Sequence, residues 1–268
     1  MRSYLAAAVQ MTASSSKEEN LAKAETFVRL AAERGASLIV LPEVFSWRGP
    51  QGEGAQHAEG IPGPTSERLS ALARHHRIHL VAGSFLERSD EPRSHNTSLL
   101  FNPHGDILAC YRKIHLFDID IPGQVTAKES ESMKPGAEVV VRETPLGTFG
   151  LSVCYDLRFP ELYRQLAQRG AEVLCVPAAF TFPTGAAHWE PLLRARAIEN
   201  QAYVIAPNQI GKNVNGYADY GNSMIIDPWG KIIARAPDKE CIITAEIDRD
   251  YLEKVRRELP CLAHRRLQ

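Results

Sequence analysis

Apolar positions along this chain recur with two periods, and segments of the two kinds alternate. Residues 4–10 form a short apolar run with small side chains and predict a strand. From Ser15 or Ser16 to about Arg34, the residues Leu21, Ala24, Phe27, Val28 and Ala31 fall on one face of a helix that Gly35 ends. Residues 37–44 (SLIVLPEV) read as a buried strand. Residues 65–75 read as a helix with Leu69, Leu72 and Ala73 inward, and 78–85 as a further strand. Residues 96–101 and 106–112 predict a hairpin around Asn102-Pro103-His104-Gly105. Downstream, 149–153 predicts a strand and 160–169 a helix. Residues 171–176, 202–207, 222–226 and 231–235 predict strands, and Ala187-His188-Trp189-Glu190 opens a helix. No low-complexity linker interrupts the series, so residues 1–268 are expected to form one domain.

The series also repeats itself. Residues 29–45 read RLAAERGASLIVLPEVF and residues 164–180 read RQLAQRGAEVLCVPAAF, an offset of 135. Further on, Thr97-Ser98, Pro103, Gly105, Ile107 and Ala109 match Asn222-Ser223, Pro228, Gly230, Ile232 and Ala234 at an offset of 125. Each half is larger than a solenoid repeat. Two such halves predict an α/β protein built as a four-layer α-β-β-α sandwich of two pseudo-equivalent halves, sheet against sheet with helices outside. The copies differ at one telling place. Glu43 follows the strand proline in the first, and Ala178 stands there in the second. A carboxylate at the end of an apolar strand needs a partner or a purpose.

Composition narrows the function classes. The chain has 268 residues, 44% hydrophobic and 24% charged, as globular proteins do. A formal net charge of −1 gives no electrostatic drive toward nucleic acid or an anionic membrane. No apolar run approaches the roughly 20 residues of a membrane-spanning helix. The segment MRSYLAAAVQM reads as a first strand rather than a signal peptide. Cys110, Cys154, Cys175, Cys241 and Cys261 are odd in number and widely spaced, which argues against a disulfide scaffold or zinc knuckle and for a reducing cytoplasm. His75, His76 and His79 straddle a helix end and a strand start with no matching pair elsewhere, so no metal site is assigned to them. Neither GxGxxG nor GxxxxGK[ST] is present.

Three segments carry candidate chemistry. In Leu41-Pro42-Glu43-Val44-Phe45, desolvation among apolar neighbours is expected to raise the Glu43 pKa toward the range of a general base. In Tyr111-Arg112-Lys113-Ile114-His115-Leu116-Phe117-Asp118, Lys113 is a candidate for stabilising an oxyanion. His115 and Asp118 are read as structural, and a loop carrying Pro122-Gly123 is expected to follow. In Gly150-Leu151-Ser152-Val153-Cys154-Tyr155-Asp156-Leu157-Arg158, a thiol sits at a sharp strand-to-helix turn whose amide groups favour thiolate. Cys175, inside an apolar strand, reads as inert. Asp156 reads as a structural charge partner, and Arg158 suits a substrate carboxylate.

With LPEVF, YRKIHLFD and CYDLRFPELYR in this order, the chain resembles the nitrilase superfamily of carbon–nitrogen hydrolases, from AVQM to Asp227-Pro228-Trp229-Gly230. It is most similar to the Nit branch, which contains deaminated glutathione amidases and ω-amidases. YRKIHLFDIDIPG is similar to both, while 188–199 and the tail RRELPCLAHRR lean toward the former. The resemblance implies the same α-β-β-α sandwich and a homodimer. It implies amide hydrolysis through a cysteine thioester, a small-molecule amide substrate, and neither cofactor nor metal. It assigns Glu43 as base, Lys113 and the Tyr155 backbone N–H as oxyanion donors, Cys154 as nucleophile and Glu129, rather than Glu131, as a further carboxylate. Arg158, Phe180 and Thr184 are implied to line the substrate pocket. Nitrile or N-carbamoyl hydrolysis, a scaffold without catalysis and a redox-sensing thiol are the competing readings. Ala186 departs from a proline common in that pocket loop.

Overall fold

In the computed structural model, residues 3–267 are described, except Gln51, Asn215 and Tyr217. The first half supplies β1 (Ser3–Gln10), β2 (Ala36–Val40), β3 (His79–Val81), β4 (Phe85–Glu87), β5 (His95–Phe101) and β6 (Ile107–Arg112). Helices α1 (Lys17–Glu33), α2 (Gly54–His57) and α3 (Pro64–His76) lie among them. A small hairpin follows, β7 (Asp118–Ile121) and β8 (Val125–Lys128). The second half supplies β9 (Val141–Thr144), β10 (Gly147–Leu151), α4 (Pro160–Gln168), β11 (Val173–Cys175), α5 (Phe182–Asn200) and β12 (Tyr203–Ala206). It continues with a hairpin, β13 (Ile210–Lys212) and β14 (Ala218–Tyr220), then β15 (Met224–Ile226) and β16 (Ile232–Arg235). The chain closes with β17 (Cys241–Asp248) and α6 (Arg249–Glu258).

The strand order is β17-β1-β2-β3-β5-β4 in one sheet, with β6 on β5, and β16-β15-β12-β11-β10-β9 in the other. Strands β1, β2 and β3 are parallel, and β5 and β6 then run antiparallel. Strands β10, β11 and β12 are parallel, and β15 and β16 run antiparallel. The halves therefore match except for β4, which has no counterpart in the second sheet, and the repeat seen in the sequence aligns β2 with β11.

Side-chain alternation sorts the layers. On one face of the first sheet, Ala7, Val9, Ile39, Leu80, Leu99 and Phe101 pack against Leu21, Ala24 and Val28 of α1 and Leu69 and Ala73 of α3. On the other, Ala6, Ala8, Leu38, Val40, Val81 and Leu100 pack into the second sheet. That cluster continues to Leu162 and Leu166 of α4 and to Leu193 and Ala197 of α5. The result is the expected four-layer order, helix, sheet, sheet, helix. Parallel strands covered on both faces read as unbroken apolar runs, which is why SLIVL and EVLCV were legible.

Several features depart from the sequence expectation, among them α5, which begins at Phe182 rather than at Ala187. The strand expected over 78–85 is broken at Gly83, which sits at φ +30. A Cβ there would lie 1.9 Å from the Pro42 carbonyl oxygen, so glycine lets the turn carrying Glu43 approach. The loop expected around Pro122-Gly123 is the β7–β8 hairpin, paired from Asp118↔Lys128 to Ile121↔Val125. Strand β17 was not read from the sequence. It runs antiparallel to β1 from Ser3↔Asp248 to Gln10↔Cys241, tying the end of the second half to the edge of the first sheet.

Candidate active site

The C-terminal ends of strands from both sheets converge on one cavity of about 240 Å³, lined by Glu43, Lys113, Glu129 and Cys154 among others. Proline cannot donate to a ladder, so Pro42 ends β2 and the chain turns. Val44 then takes φ +45, rare for a β-branched residue. The turn is held by the Ser84 hydroxyl, which accepts from the Val44 N–H at 3.0 Å, and by Gln209, which donates to the Glu43 carbonyl at 2.8 Å. The Glu43 side chain is buried. Its Oε1 accepts from Lys113 Nζ and from Asn96 Nδ2, both at 2.9 Å, and its Oε2 accepts from the Ala179 N–H at 2.8 Å.

Lys113 leaves β6 into the same space, with its backbone N–H donating to the Asn96 carbonyl at 2.9 Å. Its ammonium is 2% exposed and reaches Glu129 Oε2 at 2.8 Å and Oε1 at 3.0 Å as well as Glu43. Glu129 stands at the start of a 3-10 turn after β8 and also accepts from the Phe117 N–H at 2.6 Å. Glu131 is exposed and faces Lys128 at 3.8 Å, outside this cluster.

Cys154 follows β10 at φ +47, a left-handed conformation unusual for a side chain with a Cβ. Its N–H donates to the Pro177 carbonyl at 2.8 Å. Behind it lies the fully buried Asp156. One Asp156 oxygen accepts from the Val153 N–H at 2.8 Å and the Tyr111 hydroxyl at 2.6 Å. The other meets the His115 N–H at 3.0 Å and His115 Nδ1 at 2.7 Å. His115 stacks on Phe159, with centroids 3.6 Å apart. The structural reading of Asp156 and His115 fits this arrangement, with Tyr111 and His115 as partners rather than Arg158.

The charges set the resting protonation. Burial pushes the Glu43 carboxyl up, but the Lys113 charge, hydrogen bonding from Cys154 and Lys113 and the Arg48 charge outweigh it and hold Glu43 below the usual carboxylate range. The sequence expectation of a raised value is thus reversed, because a buried ammonium sits against the carboxylate. Burial opposes the Lys113 charge, but Glu129 and Glu43 keep it well above the ordinary lysine range. Burial pushes the Cys154 thiol well up, Glu43 adds to the push, and Lys113 offsets only part of it. The resting set is carboxylate, ammonium and neutral thiol. The expectation that turn amides would favour thiolate is overridden by burial first and by the adjacent carboxylate second.

Tyr155, Phe180 and Thr184 also line the cavity, with Phe117, Val125 and Val44 among the apolar walls. Arg158 does not. Its guanidinium lies 5.0 Å from the Phe180 ring centroid and 5.7 Å from that of Tyr155, with Nη1 at 3.2 Å from His188 Nδ1. Asn96 and Arg48, which also line the cavity, escaped the sequence reading. Asn96 donates to Glu43 and, at 3.4 Å, to Glu129. Its signal was the polar run His95-Asn96-Thr97-Ser98 on a strand buried throughout, since buried polar groups require partners. Arg48 pairs through both terminal nitrogens with the buried Asp219, Nη2 to Oδ1 at 3.0 Å. Burial raises the Asp219 carboxyl even beside this guanidinium. Among the described residues no helix is long and apolar enough to cross a membrane. No cluster of three or more His, Cys, Asp or Glu is placed to hold a metal among them.

Comparison with known proteins identifies the family. The family model described as "Carbon-nitrogen hydrolase" matches residues 5–257. A deaminated glutathione amidase of Synechocystis sp. (strain PCC 6803) is 44% identical over 269 residues, covering 99% of each chain. The human omega-amidase NIT2 is 40% identical, covering 99% of this chain and 96% of its own. The crystal structure of Saccharomyces cerevisiae Nit3, a member of branch 10 of the nitrilase superfamily, matches with a TM-score of 0.89 and 36% identity, covering 99% of this chain and 97% of that one. This chain therefore belongs to the carbon–nitrogen hydrolase family, and it is an amidase of the nitrilase superfamily.

Proposed function

We propose that the enzyme hydrolyses the terminal amide of a short carboxylate-bearing α-keto amide, deaminated glutathione before others, through a thioester on Cys154. The observation that carries the reading is the buried contact of Lys113 with Glu43 and Glu129 in the cavity that holds Cys154. Because the thiol is neutral and Glu43 is ionised at rest, Glu43 takes the thiol proton as sulfur attacks the amide carbonyl. The tetrahedral oxyanion is stabilised by Lys113 and the Tyr155 backbone N–H. Glu43 passes the proton to the departing ammonia or amine as the C–N bond breaks. It then takes a proton from the water that attacks the thioester, and returns it to sulfur as acid is released. Glu129 positions the ammonium. The 44% identity to a deaminated glutathione amidase supports that substrate, and the 40% identity to human NIT2 supports an ω-amide such as α-ketoglutaramate as the second choice. The exposed Ile198 and Trp229, brought together where Ile198 lies against Gly230, support a homodimer.

The test is Cys154→Ala. This variant is expected to fold, with an unchanged circular dichroism spectrum, and to release neither ammonia from α-ketoglutaramate nor amine from deaminated glutathione. With the native enzyme, rapid acid quench is expected to show an acyl mass on the Cys154 peptide. Substantial turnover by the variant would refute the nucleophile assignment.

A further inference from the structure

The cavity is rich in charge, but most of that charge is committed. The Lys113 ammonium is divided between Glu43 and Glu129. Lys128, on the β7–β8 hairpin, also lines the cavity, but it is exposed to solvent and faces Glu131 at 3.8 Å. Arg158, which the sequence offers as the carboxylate clamp, sits behind the Phe180 and Tyr155 rings and is absent from the lining. Arg48 is different. It follows Glu43 by five residues, lines the cavity, and its side chain is 17% exposed. Its charge acts on the Glu43 carboxyl, so it lies within electrostatic reach of the reacting groups.

We infer that Arg48 is the residue that selects a carboxylate-bearing substrate, and that Asp219 is the positioning residue that aims it. The pair with Asp219 is end-on, through Nη1 and Nη2. A guanidinium paired in that way keeps its Nε edge out of the pair, and a planar fork with five donors can serve two carboxylates at once. Asp219 is fixed in turn, because it faces Thr181 in an antiparallel bridge and belongs to β14. Thr181 and Thr184 line the same wall, with their hydroxyls 2.8 Å apart. The substrate carboxylate is thus held on the Arg48 wall while its amide carbon lies at Cys154.

This inference rests on the amidase reading, and the experiment separates the two. Ammonia release is measured with α-ketoglutaramate and with its carboxylate methyl ester, for the native enzyme and for Arg48→Leu, Arg48→Lys, Asp219→Asn and Arg158→Lys. Loss of a charge-assisted contact is expected to lower the acid-over-ester ratio of kcat/KM by about 10–100-fold in Arg48→Leu, mostly through KM. Arg48→Lys is expected to recover part of the ratio, Asp219→Asn to lower it less than Arg48→Leu, and Arg158→Lys to leave it near native. If Arg48→Leu and Arg48→Lys keep the native ratio, or if Arg158→Lys alone collapses it, the assignment is overturned while the amidase reading stands. If the native enzyme turns over the ester as well as the acid, the cavity does not select a carboxylate and the assignment is likewise overturned while the amidase reading stands.

Discussion

At the end of β2 the chain runs Leu41-Pro42-Glu43, and at the matching end of β11 it runs Val176-Pro177-Ala178. Both turns are buried, and both follow a proline that stops the ladder. One presents a carboxylate; the other presents backbone, with the Ala179 N–H donating to that same carboxylate. The exchange is reciprocal one strand over. Pairing Leu151 with Cys175 and Ala8 with Val40 places Cys154 where the first half has Met11, and Asp156 where it has Ala13. After β6 stands the buried Lys113, whereas the matching position after β16 is the exposed Asp238. Each half therefore keeps the scaffold and is chemically silent where the other is active. The site exists only because both sheets end at one place. Neither half alone brings a base, a cation and a thiol together.

The sharpest way to break this comparison is to silence Lys113. Lys113→Met leaves the buried Glu43 and the half-buried Glu129 without their shared cation, and removing one partner of a buried ion pair costs about 3–5 kcal/mol. The expected result at pH 7.5 is loss of measurable turnover and a urea midpoint shifted by a destabilisation of that size. The sign with pH follows from the carboxylate. In the native protein Glu43 is held below its unfolded value, so its contribution is present above the unfolded pKa and is lost as pH falls through the folded one. In the variant Glu43 takes up a proton more readily, so its deficit is expected to shrink as pH falls from 7.5 toward 5. A deficit under about 1 kcal/mol at pH 7.5 would mean that the carboxylates do not depend on this ammonium.

The parts of this arrangement that the sequence displayed were those tied to local pattern. SLIVLPEVF shows strand, stop and carboxylate within nine residues, and CYDLRFP shows a thiol at a turn before a helix. The duplication displayed the two sheets. What the pattern lacked was anything that depends on approach from elsewhere. The break at Gly83 depends on the Pro42 carbonyl, and the Arg48–Asp219 pair joins residues 171 apart with no motif around either. The direction of the Glu43 shift was misread for the same reason. Burial is visible in apolar neighbours, whereas the ammonium that outweighs it arrives from 70 residues away. Strand β17 went unread because the internal repeat ends at β16 and supplied no template for it.

Glu43→Gln tests the active turn with less structural damage, since the amide can still accept from Lys113. Loss of a general base is expected to lower kcat by about 10²–10⁴-fold. The same change removes the negative charge that helps to raise the Cys154 thiol. Thiolate absorbance, taken as the difference from Cys154→Ala, is therefore expected to titrate at lower pH in Glu43→Gln than in the native enzyme. Activity and thiol acidity should move in opposite directions, which simple unfolding does not produce. In the native enzyme kcat/KM is expected to hold through the usual carboxylate range near about 4.3 and to fall only below it.

The smallest expected effect lies behind Cys154, where the second half carries Asp156 and the first carries Ala13. Asp156→Asn keeps the shape but replaces one acceptor oxygen with a donor. Its four contacts all come from donors or from the His115 ring, so at least one pairing with Val153, Tyr111 or His115 is lost. A buried group left unpaired costs about 1–3 kcal/mol, which should appear as lowered stability. The left-handed Cys154 is fixed from below by this carboxylate and from its own N–H by the Pro177 carbonyl. Loosening one of the two anchors displaces the sulfur without removing it. A misplacement of about 1 Å can cost roughly 10²-fold, so kcat is expected to fall by up to that factor, with KM for α-ketoglutaramate within a few-fold of native. Slower acylation in a rapid-quench experiment, at unchanged deacylation, would locate the defect at the thiol. A fall in KM-controlled binding with native kcat would instead show that Asp156 shapes the pocket and leaves the nucleophile where it is.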